Sequence, residues 1–200
     1  MAARAWAEAS ERASRWQPNA RGRLEEAALE LYGERGFEQT TVADIAQRAG
    51  LTERTFFRHY ADKREVLFGG SGSLQEAFVN TLAAAPEAVA PIEAVAAALA
   101  AAADLFGERH AFACRRQRVI VANAELRERE LIKLANLSAA LADGLRARGV
   151  ADPAASLAAE AGIAVFKIAF DCWIEESGER DLAEVIRESL AELKVVTAGG

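Results

Sequence analysis

Residues Thr40 to Lys63, TTVADIAQRAGLTERTFFRHYADK, carry two short helical periods separated by a single breaker, and no other stretch constrains the fold so tightly. Val42, Ile45, Ala46 and Ala49 recur at i, i+3, i+4 and i+7, the apolar stripe of a short helix. Thr41 stands just before that stripe, where its hydroxyl can accept from the unpaired amides of a first turn. Gly50 interrupts the period, Leu51 offers an apolar plug, and Thr52 is a second N-cap opening a helix over Glu53 to Tyr60. Two short helices joined by a Gly-containing turn of about four residues predict a helix-turn-helix, the arrangement that places its second helix in the major groove of DNA.

The charge distribution fits such a head better than the net charge of −6 suggests. Residues 1–68 hold 11 Lys/Arg and 11 Asp/Glu, whereas the remainder holds 13 against 19. A neutral head can turn a basic face to phosphate while an acidic body is kept off the duplex, which disfavours a protein that coats DNA uniformly. Two hundred residues suffice for one or two small domains with a sizeable core. Alanine, leucine, glutamate and arginine dominate, and Gly and Pro gather at a few joints, so the expected fold class is all-α. Cys114 and Cys172 are too few for a disulfide framework and suit a reducing cytoplasm. No uncharged apolar run approaches about 20 residues, so no membrane span is expected, and the N-terminus lacks a hydrophobic signal core. Residues 1–18 read as a disordered tail, or alternatively as a phosphate-contacting arm using Arg15, Arg21 and Arg23.

Elsewhere the punctuation outlines further helices. The first is expected from Arg21 to Arg35, with Leu24, Ala27, Ala28, Leu31 and Tyr32 on one face, Gly36 as its cap and Phe37 folded back. Asp62 and Glu65 read as a capping box opening a fourth helix at Lys63, interrupted by GGSGS at 69–73 and resuming from Leu74 to Ala85. Further helices are expected over Ile92–Phe106, Arg109–Asn123, Glu125–Arg148, Pro153 to about Glu176, and a last one with Leu182, Val185, Ile186, Ser189, Leu190 and Leu193 on one face. The division expected is a helix-turn-helix domain over 19–66 and a helical ligand-binding and dimerisation domain over 67–200. The penultimate helix is apolar almost all round, through Ile163, Val165, Phe166, Ile168, Phe170, Trp173 and Ile174. Such a helix must be covered on several sides, either as a central core helix or between its own domain and a second subunit. A homodimer through the last two helices, about 154–176 and 180–195, follows from the second reading, and a lone helix-turn-helix has too small a DNA contact for useful specificity.

Residues 33–67, GERGFEQTTVADIAQRAGLTERTFFRHYADKREVL, resemble the TetR (tetracycline-repressor) family of bacterial regulators. The likeness lies in the Gly-aromatic pair after the first helix, Thr-Thr-Val at the second, Ala-Gly before the turn, and an aromatic-rich third helix ending in His-Tyr. It implies a cytoplasmic regulator, nucleoid-associated when bound to DNA, that binds a palindromic double-stranded operator as a dimer and is released by a small amphipathic or lipophilic effector. It further implies that Thr52, Glu53, Arg54, Thr55, Phe57, Arg58 and His59 face DNA, that Lys63 lies near the backbone, and that Thr41 donates to a phosphate. Phe57 stands where the family usually has Tyr, so no phenolic phosphate contact is expected there. Glu53 must read a cytosine amine or point away, Phe56 and Tyr60 read as core aromatics, and His59 reads as a phosphate contact or a packed histidine.

The resemblance also implies an effector cavity in the larger domain. Its candidate lining is Phe78, Leu82, Leu105, Phe106, Phe112, Leu134, Leu137, Phe166, Phe170 and Trp173, residues that as simple core would merely fill the interior. Arg115, Arg116 and Arg118, beside His110, bring positive charge to an acidic domain. The segment RRQRVIVANAELRERELIKLANLSAAL resembles a subgroup with an acyl-CoA-like ligand domain, which implies an acyl-thioester or another amphipathic acid, with Arg115 and Arg116 as its anion partners; a solvated basic face paired with nearby glutamates is the plainer alternative. The GGSGS joint reads as a hinge for the response, or as an exposed kink without a switching role. No cofactor, metal or catalytic set is expected, because two histidines without Cys/His metal spacing, a phosphate-cradling Gly loop or a nucleophile elbow leave catalysis little to work with. A constitutive DNA- or partner-binding module with a solid helical body is the other alternative, and a cavity would discriminate between them.

Overall fold

A computed structural model of the chain describes residues 19–176 and 180–198, and the expected N-terminal tail with its candidate Arg15 lies outside them. The described residues form nine α-helices and two short 3-10 turns, with no strand among them. The chain separates between Leu67 and Phe68 into two compact units. None of the described helices is long and apolar enough to cross a membrane.

In the first unit, α1 (Ala20–Arg35) buries Leu24, Ala27, Ala28, Leu31 and Tyr32 along one stripe. Asn19 caps its start by accepting from the Gly22 amide at 2.9 Å. Gly36, at φ +85°, ends it by donating its N–H to the Tyr32 carbonyl, a left-handed turn that a side chain would strain. Phe37 then folds back edge-to-face on Tyr32, with ring centres 5.3 Å apart. Helix α2 (Val42–Arg48) starts in a complete capping box between Thr41 and Asp44. After Gly50 (φ +63°), Thr52 caps α3 (Glu53–His59) through the Thr55 amide.

The fourth helix does not begin at Lys63. Asp62 does accept from the amides of Arg64 and Glu65, at 2.8 and 3.2 Å, but only a 3-10 turn follows, over Glu65–Phe68. Val66, Leu67 and Phe68 are buried in succession, which suits a tight turn enclosed on several sides and not one stripe of an α-helix. The next helix, α4 (Ser71–Ala84), begins inside the GGSGS joint, so the joint is a helix start and not a break within a running helix. Gly72 and Ser73 are tolerated because first-turn residues have no intrahelical amide bond to lose, and the Ser71 hydroxyl donates to the Phe68 carbonyl at 2.7 Å.

The second unit continues with α5 (Pro91–Ala103), α6 (His110–Ala122), α7 (Ala124–Ala147), α8 (Ala154–Glu175) and α9 (Leu182–Thr197). Helix α5 stops three residues short of Phe106, because the amides of Leu105 and Phe106 turn back to the carbonyls of Ala102 and Ala103. Small residues set the spacing here. A Cβ at Gly162 of α8 would lie 2.3 Å from Val95 Cγ1 on α5, and one at Gly144 of α7 would lie 2.9 Å from Leu82 Cδ1 on α4. The alanines Ala94, Ala98 and Ala102 of α5 and Ala155 and Ala159 of α8 are correspondingly buried. Helix α8 buries Ile163, Val165, Phe166, Phe170 and Trp173 within the chain but leaves Leu157 65% and Ile168 58% exposed.

Candidate nucleic-acid interface and effector site

Helix α3 is held from behind and bare in front. Phe56 and Tyr60 are buried, their rings 5.7 Å apart. The Tyr60 hydroxyl donates to Glu25 at 3.0 Å and accepts from Arg21 Nε at 3.3 Å, which ties the end of α3 to α1. Burial and the Glu25 carboxylate push the Tyr60 phenol well above its ordinary value, so it stays protonated and keeps this bond. On the outer face Thr52, Glu53, Arg54, Phe57, Arg58 and His59 are exposed, and Thr55 is half-buried with its hydroxyl 3.1 Å from that of Thr52. His59 is therefore not a packed core histidine. Glu53, Arg54, Arg58 and His59 make no hydrogen bond or ion pair among the described residues, so this face presents open donors and acceptors.

Four candidates outside α3 make contacts within the head itself. Lys63 directs its ammonium to the carbonyls of Phe37, Glu38 and Thr40, at 2.9, 3.3 and 3.1 Å, and lies 4.3 Å from the Phe37 ring centre. An ammonium has three protons, and with these Lys63 fastens the α1–α2 loop. Thr41 gives its hydroxyl proton to Asp44 at 2.7 Å, and its bonds hold the Asp44 carboxyl below its ordinary range. Arg21 is engaged with Tyr60 and Glu25, and Arg23 donates to the Ala49 carbonyl at the turn. Sequence reasoning passed over Arg48, whose guanidinium grips Glu34 at 2.8 and 2.9 Å and Glu30 at 3.1 Å, bracing α2 against α1. The i, i+4 pair of glutamates on α1 was visible, but not what would face it.

The effector candidates divide into two sets. Phe78, Phe106, Phe166, Phe170 and Trp173 form one connected aromatic cluster, with ring centres 5.5–6.4 Å apart. His110 meets the Trp173 ring edge-on at 4.7 Å and bonds the Trp173 carbonyl. Leu82 and Leu137 are buried and Leu134 is half-buried, but Leu105 is 45% exposed, because the early end of α5 turns it outward. Phe112 stands apart, under the guanidinium of Arg109 at 4.3 Å. The arginine cluster also separates: Arg115 is exposed, while Arg116 is largely buried, paired with Glu130 at 3.2 Å and set 5.0 Å from the Phe68 ring centre. An open concavity of about 580 Å³ lies elsewhere, lined by Cys114, Gln117, Arg118, Val121 and Ala122 of α6 and by Ile174 and Glu175. The α6 set recurs at i, i+3, i+4, i+7 and i+8, a stripe legible in the sequence but too mixed in polarity to stand out as core or as lining.

Comparison with known proteins places these features in context. Residues 24–68 match the family model described as bacterial regulatory proteins, tetR family, and residues 89–198 match that of the MftR C-terminal domain. The HTH-type transcriptional regulator TcmR of Streptomyces glaucescens is 40% identical over 81 residues, which span 40% of this chain and only 36% of TcmR. Among solved structures, the TetR-family repressor FadR of Thermus thermophilus in complex with lauroyl-CoA is 25% identical, with a TM-score of 0.52 over 86% of this chain and 91% of its own. FadR of Bacillus subtilis in complex with stearoyl-CoA shares the fold, with a TM-score of 0.56 at 22% identity over 84% of this chain and 95% of its own.

Proposed function

The chain belongs to the TetR family of bacterial transcriptional regulators, and on that footing we propose that it is a ligand-responsive repressor that binds a palindromic operator as a homodimer. The observation that carries this reading is the outer face of α3. Thr52, Glu53, Arg54, Thr55, Phe57, Arg58 and His59 stand on a helix whose inner face is locked by Phe56 and Tyr60, the posture that side chains need to meet base edges and phosphates. Lys63 and Thr41 serve the head's own architecture and are left out of the contact set.

Dimerisation through α8 and α9 is supported by the uncovered apolar side chains Leu157, Ile168 and Val195. Two heads in one dimer would meet successive grooves about 34–36 Å apart. Ile168→Glu together with Leu157→Glu should convert a dimer into monomers in sedimentation experiments and abolish specific DNA binding.

For the effector, the FadR likeness and the aromatic cluster of the second unit favour an amphipathic acid such as an acyl-CoA thioester. Its acyl chain would need Phe106 to part from Phe166, Phe170 and Trp173. Release from DNA would then be a population shift, limited by how much better the effector binds the opened arrangement. The ring-to-ring contacts of that cluster favour a second reading, a constitutive DNA-binding module with a solid body. A mobility-shift titration on the duplex upstream of its own gene, with and without lauroyl-CoA, separates the two. Release by the thioester supports the first reading, and retention without any thermal shift supports the second.

A further inference from the structure

Glu53 is an acidic side chain on a surface that otherwise suits a polyanion, and among the described residues no hydrogen bond or ion pair neutralises its charge. It occupies the first position of α3, is exposed, and makes no hydrogen bond or ion pair among the described residues. A cation three or four residues further along the helix would compensate it, but those positions hold the buried Phe56 and the half-exposed Phe57. Arg54 and Arg58, one and five residues on, lie at spacings that do not meet Glu53 on a helix surface. Arg48 of α2 is committed to Glu30 and Glu34.

An exposed carboxylate costs nothing in water and favours the start of its own helix. Brought into a groove it loses water and faces phosphates, and only a donor on a base edge offsets that loss. In the major groove the cytosine N4 amine is that donor, with an acceptor, the paired guanine O6, on one side only. Guanine O6 and N7 and thymine O4 are acceptors that repel a carboxylate, and the adenine N6 amine is flanked by the acceptor N7. We propose that Glu53 is a specificity-determining residue that selects cytosine at one position of each operator half-site by accepting from its amine and rejecting guanine and thymine. This rests on the reading of the first unit as a DNA-binding head.

The test uses the full chain and two variants, Glu53→Gln and Glu53→Ala, each selected against a library of random duplexes and then titrated on the selected site. The wild-type protein should lose about 5- to 150-fold in affinity when that one cytosine is replaced by thymine. Glu53→Ala should lose the preference at that position alone. Glu53→Gln, which can pair bidentately with adenine, should move the preference to adenine there. If both variants keep the wild-type base preference at every position, the proposal is overturned, even if their affinity for random duplex rises, since Glu53 would then act by charge repulsion alone. A wild-type protein that selects no duplex would defeat the DNA-binding reading itself, and this inference with it. Should Glu53→Ala not fold, the isosteric Glu53→Gln still decides the matter.

Discussion

Helices α3 and α8 each bury one face and leave the other uncovered, yet the uncovered faces differ in chemistry. On α3 the bare face carries Glu53, Arg54, Arg58 and His59 around a single aromatic, Phe57. On α8 it carries Leu157 and Ile168, large apolar side chains beside the exposed Glu160 and Lys167. Charged side chains lose little by waiting in water and gain when a polyanion arrives, whereas apolar ones are best covered by another apolar surface. The two units are also held differently. In the first, polar side chains tie helices and loops to one another, as Lys63, Tyr60, Arg23 and Arg48 do. In the second, alanines and two glycines let helix axes come close.

The contrast between inner and outer faces is tested most strongly at two adjacent phenylalanines. Phe56 is fully buried and Phe57 is 55% exposed. Phe56→Ala should therefore cost about 3–5 kcal/mol in urea unfolding. Phe57→Ala should change stability by no more than about 0.5 kcal/mol while weakening operator binding. Equal stability losses would mean that α3 has no bare face.

In the second unit, Arg148 reaches the end of α4 and donates to the carbonyls of Leu82 at 2.8 Å, Pro86 at 2.7 Å and Ala85. Arg148→Ala leaves those acceptors without their charged donor and should cost about 1.5–3 kcal/mol in the same assay. Gly162→Ala tests the close approach of α8 to α5, where the added Cβ meets Val95, and should cost about 1–3 kcal/mol. Combining it with Val95→Ala should recover part of that loss, and no recovery would mean that the two helices do not meet at this point.

The smallest effect is expected from acid, in the first unit. Hydrogen bonds from Thr41 hold the Asp44 carboxyl below its ordinary value of 3.8, with a minor contribution from Arg35. A lowered carboxyl stabilises the fold above its ordinary value and ceases to do so as pH falls through the folded-state value. Asp44→Asn should accordingly be less stable than the wild type at neutral pH, and the difference should close as pH falls through the lowered folded-state value. A difference that persists in acid would mean that the cap does not depend on the carboxylate's charge.

Helix boundaries in the first unit were legible in the sequence because their causes are local. The Thr41 and Thr52 caps, the glycine stop at Gly36 and the stripe of α1 involve residues within about four positions of one another. The same holds for the inward placement of Phe56 and Tyr60 against the outward placement of Arg54 and Arg58. Tertiary structure alone decided where the long cations went. Lys63 turned back to carbonyls 23 to 26 residues away and Arg148 to carbonyls 62 to 66 away, and a flexible charged side chain takes the partner that folding brings to it. It also decided that the fourth helix would wait until Ser71, because burying Val66, Leu67 and Phe68 together outweighed a good capping signal at Asp62. Local periods and caps are read from neighbours in the chain, whereas burial and charge pairing depend on neighbours in space.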